Sequence, residues 1–160
     1  NLKDTEDIMD YILVDRNIVQ TSTFFMPTKL AKKIKFNSKL RKHQDWDFCL
    51  RLRDNNTKFY YLNKALTIWY TDSREDRISI NQNYEDSLKW FKMTEKSLSL
   101  QAQYAFLVRN LVNYFVINKK KYSAFRIIMK AFKINSIDKR TFVRSLGKLI
   151  VPMKFWKIKR

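Results

Sequence analysis

The sequence predicts an α+β chain, mainly α, in which a partial α/β segment is followed by a carboxyl-terminal helical hairpin or bundle. Three observations carry this expectation. Two runs, Ile18 to Met26 (IVQTSTFFM) and Lys58 to Tyr70 (KFYYLNKALTIWY), concentrate β-branched and aromatic residues, the composition of strands. Beyond the polar stretch TDSREDRIS, apolar residues recur at helical spacing up to the carboxyl end. The charge shifts at the same place: residues 1–80 carry 15 Lys and Arg against 11 Asp and Glu, and residues 81–160 carry 18 against 4. Two regions, 1–80 and 81–160, are therefore expected.

The elements follow in order. Leu2 to Val14 places Ile8, Tyr11 and Ile12 on one side behind Asp4, Glu6 and Asp7, acids that suit a helix start. A strand over Ile18 to Met26 then leads into a helix from Pro27 to Ile34, since proline is accommodated at the first helical position. Asp45 to Asp54 reads as a helix, and Lys58 to Tyr70 as one or two strands turning near Asn63 and Lys64. In the second region Tyr84, Leu88, Phe91 and Glu95 mark one helical face. Ala105, Leu107, Val108, Leu111, Val112, Phe115 and Val116 form a broad stripe, and Ala124, Ile127, Ile128, Ala131 and Phe132 form another. Ser136 or Asp138 is placed to cap a last helix. The segment YSAFRIIMKAFKINS resembles one unit of a tetratricopeptide-like array, but no second copy follows at a fixed period, so it is read as packing.

Composition excludes several classes. With 160 residues, 45% hydrophobic and 15% aromatic, the chain can bury a core. The single cysteine, Cys49, rules out an internal disulfide framework. No start Met or signal peptide is present, and the longest apolar stretch, FLVRNLVNYFVI, is broken by Arg109, Asn110 and Asn113, so no spanning segment is expected. Gly147 is the only glycine, which leaves no glycine-rich phosphate loop of either common kind. A net charge of +18 points to an anionic partner without choosing among nucleic acid, phosphorylated substrate and lipid.

One stretch, KHQDWDFCLRL (Lys42 to Leu52), holds the only histidine and the only cysteine. On spacing alone it reads as helix construction. Asp45 serves the first turn, Asp47 and Arg51 stand four apart in the favourable order, Cys49 is a small buried hydrophobe, and His43 lies in the preceding loop. A metal site is disfavoured, because residues alternating by two scatter around a helix axis.

Read together, IVQTSTFFMPTKLAKKIKFNSKLRKHQDWDFCLRL, FYYLNKALTIWY and RISI resemble the carboxyl-terminal half of a bacterial family 2 glycosyltransferase of the GT-A fold. The resemblance rests on the QTS segment Gln20-Thr21-Ser22, the turn Phe36-Asn37-Ser38-Lys39-Leu40, and the motif Gln44-Asp45-Trp46-Asp47 followed by Leu50-Arg51. It covers residues 8 to 98, with the later helices similar to the variable tail of such enzymes. It implies inverting transfer of a hexosyl group from a nucleotide-diphosphate donor to an acceptor hydroxyl of a bacterial surface glycan or lipid-linked oligosaccharide. Asp45 is then the catalytic base, and Gln20, Thr21, Gln44 and Trp46 line the acceptor side. Trp46 has two open readings, a stacking face for a sugar ring and a core aromatic.

Under the same resemblance Thr71 to Ser79 is the loop that closes on the donor phosphates through Arg74, Arg77 and Ser79; a solvated loop of mixed charge is the alternative. The family's extra metal-ligating histidine is absent there, with Asp72 the only substitute. A divalent cation, Mg or Mn, is expected in the intact enzyme, held mainly by an amino-terminal nucleotide-binding half whose D-x-D motif this chain lacks. Residues 1–80 are then the acceptor-side part of the enzyme, and the chain alone is a fragment expected to be inactive. The expected location is the cytoplasm, peripheral on the inner face of the membrane.

From Ser99 onward there are 15 Lys and Arg and one acid, Asp138. The end, LGKLIVPMKFWKIKR, interleaves apolar residues with cations, a pattern that fits an anionic membrane surface or a packed helix end with solvated lysines. The competing classes are a basic helical nucleic-acid-binding module and a helical scaffold without catalysis. The first is disfavoured, since no zinc-finger, RNP-like or basic-zipper signature occurs.

Overall fold

The computed structural model describes residues 6–68 and 84–151. The chain divides into two compact units, Asn1–Asp86 and Ser87–Arg160.

The first unit is built on three helices, α1 (Ile8–Leu13), α2 (Thr28–Ile34) and α3 (Gln44–Asp54). Asp7 caps α1 by accepting the Met9 N–H at 2.7 Å, and this short helix buries Ile8, Met9, Tyr11, Ile12 and Leu13. Pro27 is the cap residue of α2, one place before the first helical position at which the sequence reading set it. Helix α3 is the hub. Its Phe48 ring stacks on Phe36 at 4.3 Å and on Phe24 at 5.9 Å, so the segments before and after α2 both anchor on one side chain. Cys49, Leu50 and Leu52 are buried beside it, and both α1 and α2 pack against α3.

No strand occurs among the described residues, so the expected α/β segment is not shown there. Gln20 and Phe24 keep extended torsions (φ −138°, ψ 146° and φ −81°, ψ 128°), but Thr21–Thr23 between them coil into a 3₁₀ turn. The cause is local: the Gln20 carbonyl accepts both the Thr23 N–H at 2.9 Å and the Thr23 hydroxyl at 2.8 Å, which withdraws it from any ladder. Over residues 58–68 the backbone is irregular, tied back by a long contact from the Thr67 hydroxyl to the Ser22 carbonyl. Tyr60, Leu62, Leu66 and Ile68 stay exposed, as does Phe25. Extended backbone becomes a strand only beside a second one, and the described residues supply none.

The second unit is helical, as the sequence predicts. Helix α4 (Tyr84–Thr94) ends in a 3₁₀ turn at Glu95–Ser97; Ser99 caps α5 (Leu100–Phe106) through the Ala102 N–H at 3.0 Å. The buried face of α4 is Ser87, Trp90, Phe91 and Thr94 rather than the Tyr84, Leu88, Phe91 and Glu95 line, because Trp90 and Phe91 both pack on Phe106. A π-helical segment, Leu107–Leu111, joins α5 to α6 (Val112–Ile117) and is followed by α7 (Lys121–Lys133) and α8 (Lys139–Ile150). Val108, Val112, Ile128, Ala131 and Ile137 form the core, flanked by Tyr104, Phe132, Phe142 and Leu146. Asp138, not Ser136, caps α8 by accepting the Thr141 N–H at 2.9 Å.

With one glycine in the chain, helices end on other residues. Asn56, Lys119 and Asn135 take positive φ (56°, 58° and 57°) just past α3, α6 and α7. Each is followed by a residue whose N–H reaches back to the last turn: Thr57 to Leu52 at 3.1 Å, Lys120 to Phe115 at 2.8 Å, and Ser136 to Ala131 at 2.8 Å. The hydrogen-bond pattern is the one glycine usually completes, formed here with two asparagines and a lysine. No helix among the described residues is long and apolar enough to cross a membrane.

Candidate active site

The start of α3 brings the central site residues together. His43 precedes the helix in a left-handed conformation (φ 62°, ψ 24°), and its ring stacks on Trp46 at 4.6 Å. Burial, then the charge of neighbouring Lys42, pushes the His43 imidazole down to about 3. It is therefore neutral near pH 7.

Asp45 lies in the first turn of α3, half-buried, where the exposed N–H ends of the helix favour a carboxylate. Its Oδ1 accepts a hydrogen bond from the Thr21 hydroxyl, 24 positions earlier in the chain. Thr21 and Asp45, chosen separately in the sequence, are thus in contact. Gln20 stands beside them, half-buried, at the start of the 3₁₀ turn. Gln44 directs its amide to the Leu40 carbonyl at 2.7 Å and fastens α3 to the preceding turn, which Asn37 closes by accepting the Lys39 N–H at 3.1 Å. Trp46 is half-buried, with the His43 ring stacked on it. Arg74, Arg77, Ser79 and Asp72 lie outside the described residues, as does most of the basic tail beyond Val151.

The sequence undervalued one pair. Asp47 is 4% exposed, not a surface acid; its Oδ2 holds Arg51 Nε at 2.8 Å, and Arg51 Nη1 donates to the Ile34 carbonyl at 2.7 Å at the end of α2. The signal was present in the flanking residues, since Asp47 is followed directly by the buried run Phe48-Cys49-Leu50. In the same last turn of α3, Arg53 holds Asp7, the α1 cap, at 2.9 Å and Asp54 at 2.9 Å. Burial, then the nearby Asp45 carboxylate, pushes the Cys49 thiol up to about 12, which makes it a poor nucleophile. Among the described residues, no group of three or more His, Cys, Asp and Glu side chains could hold a metal ion.

Over 135 residues the chain is 23% identical to the amylovoran biosynthesis glycosyltransferase AmsB of Erwinia amylovora. The similarity is to a glycosyltransferase. It takes in 84% of this chain but spans only 45% of that relative's length. No protein-family model matches the chain, and no solved structure matches it.

Proposed function

We propose that this chain is the acceptor-side part of an inverting, family 2-type glycosyltransferase of polysaccharide biosynthesis, and that Asp45 is its catalytic base. The observation that carries the reading is the Thr21–Asp45 hydrogen bond, which joins the QTS segment to the QDWD motif at a half-buried carboxylate. The distant similarity to AmsB supports the same class of reaction.

The chemistry asked of Asp45 is simple. An acceptor hydroxyl attacks the anomeric carbon of the donor from the face opposite the diphosphate. The new C–O bond forms as the C–O bond to phosphate breaks, the electron pair leaves with the diphosphate, and the hydroxyl proton passes to the carboxylate. A base does this from hydrogen-bond distance. Thr21 engages Oδ1, which leaves Oδ2 to take the proton. Trp46 offers the acceptor sugar an apolar face beside it, with Gln20 and Gln44 at its edge.

Nucleotide binding, a divalent cation, and the phosphate contacts of Arg74, Arg77 and Ser79 complete the reading. The cation is assigned to the nucleotide-binding half that the family resemblance implies for the full enzyme. The exposed apolar side chains of Tyr60, Tyr61, Leu62, Leu66 and Ile68 agree with a surface covered by such a segment. The reaction is placed in the cytoplasm, at the inner face of the membrane for a lipid-linked acceptor.

The test is Asp45→Asn in the full enzyme that contains this chain. Nucleoside diphosphate release in the presence of acceptor should fall by at least about a hundredfold, the scale of general-base catalysis, with donor affinity unchanged. Turnover within about threefold of the parent would refute the assignment.

A further inference from the structure

The second unit carries an apolar stripe that its own core does not use. Helix α7 turns Ala124, Ile128 and Ala131 inward, all fully buried. On the opposite side Tyr122, Phe125 and Met129 are exposed at 74%, 42% and 42%. Spaced three and four apart, these three share one face of a 13-residue helix. Exposed Arg126, Lys130 and Lys133 run alongside, with the Arg126 guanidinium 6.0 Å from the centre of the Tyr122 ring. An amphipathic helix needs one apolar face to join a core; α7 has two, and cations border the outer one.

We infer that this outer face of α7 is a docking surface for an anionic lipid bilayer, with Tyr122, Phe125 and Met129 entering the headgroup boundary and Arg126, Lys130 and Lys133 meeting the lipid phosphates. Charge complementarity selects the occupant. From Ser99 onward Asp138 is the only acid among 15 cations, so the surface around the stripe repels a second copy of the same basic unit. A nucleic-acid duplex would match the cations and leave the apolar row of Tyr122, Phe125 and Met129 facing the sugar-phosphate backbone. A bilayer interface takes both at once, the apolar row inward and the cations at headgroup level. The inference rests on α7 alone and does not require Asp45 to be a base.

Vesicle flotation with the 160-residue chain decides it. Neutral phosphatidylcholine vesicles are compared with vesicles containing about a third phosphatidylglycerol, at low and moderate salt. The expected result is binding to the anionic vesicles only, weakened by salt. R126Q/K130Q should weaken it about twenty- to thirtyfold, two cations' worth of surface attraction. Y122S/F125S/M129S should weaken it at least tenfold with every charge kept. K32Q/K33Q, which removes the same charge from exposed positions on α2, should change it less than threefold. All seven positions lie outside the core, and far-UV circular dichroism checks that each variant is folded.

Three results overturn the inference: equal binding to neutral and anionic vesicles, an apolar triple variant that binds like the parent, or a K32Q/K33Q loss as large as that of R126Q/K130Q. A parallel titration with duplex DNA separates the polyanion alternative. If R126Q/K130Q weakens DNA and vesicle binding alike while Y122S/F125S/M129S changes neither, the face is a general anion surface and the lipid assignment fails.

Discussion

Removing Arg51 should destabilise the first unit far more than its position on a helix surface would suggest. The Arg51–Asp47 pair spans one helical turn at 2.8 Å, and an exposed pair of that kind contributes about 0.2 to 0.5 kcal/mol. Here Asp47 is 4% exposed, and Arg51 also satisfies the Ile34 carbonyl that ends α2. Arg51→Ala strips the buried carboxylate of its partner and frees that carbonyl. Stranding one member of a buried pair costs about 3 to 5 kcal/mol. The Arg51 side chain is 32% exposed, so solvent screens part of the attraction and about 2 to 3 kcal/mol is expected. Arg51→Lys recovers only part, since an ammonium cannot serve Asp47 and Ile34 with one planar fork.

The assay needs a probe confined to the first unit, and Cys49 provides one. It is 1% exposed and lies in α3 itself, so thiol labelling in a urea series reports when that helix opens. The Arg51→Ala midpoint should move down by the equivalent of about 2 to 3 kcal/mol, and Asp47→Ala in the Arg51→Ala background should add less than it does alone. A loss within about 0.5 kcal/mol for both single variants, with simple additivity, would refute the buried-pair argument.

Three further outcomes follow from particular residues. In the native chain at pH 7 to 8, Cys49 should react with an aromatic disulfide reagent at least about a hundredfold more slowly than in denaturant, because burial both covers the thiol and disfavours its thiolate; comparable rates would contradict this. His43 has a folded value near 3 and an ordinary unfolded value near 6.5, so the unfolded chain binds its proton first. Stability assigned to His43 is therefore complete above about pH 6.5 and lost on acidification, by at most about 2 kcal/mol at pH 5; a His43→Asn variant, suited to the left-handed backbone, should lose that slope, and an unchanged slope would reject the assignment. Lys119→Gly should stabilise the second unit by about 1 kcal/mol in thermal unfolding, since lysine holds a left-handed position there that glycine takes without strain; a lower melting temperature would count against it.

Periodicity made the helices legible and could not make the strands. The stripes of α5 through α7 stand in the sequence at their observed places, because three packed helices satisfy their own backbone and need only one apolar face each. Ile18 to Met26 has equally strong strand composition, yet strand formation depends on a partner, and Thr21 to Thr23 carry hydroxyls ready to fold the chain locally. In the candidate site, the resemblance names Thr21 and Asp45, while their contact is visible only in the folded chain. The depth of Asp47 was legible only through the apolar run Phe48-Cys49-Leu50 that follows it, because the spacing to Arg51 reports which residues share a face and not how far that face is buried. On α4 the reverse happened: aromatic volume at Trp90 and Phe91 decided which side faced in.

Helix α3 is braced in its last turn, by Arg51 to the end of α2 and by Arg53 to the cap of α1, and at its start by Gln44 to the Leu40 carbonyl, while Thr21 sits on an exposed turn. Position and orientation of the Asp45 carboxylate therefore have different sources. The helix carries its Cα, and the Thr21 hydroxyl holds one of its two oxygens, Oδ1. Thr21→Val keeps the shape of the side chain and removes that hold. In the full enzyme it should leave the unfolding midpoint within about 0.5 kcal/mol of the parent, as expected at an exposed site, and lower kcat about tenfold as the proposed base, Asp45, samples unproductive orientations. KM for the acceptor should change less than threefold. Thr21→Ser, which restores the hydroxyl, should recover most of the rate. A fall in stability that matches the fall in kcat would make Thr21 a structural residue, and a Thr21→Ser variant as slow as Thr21→Val would deny it the positioning role.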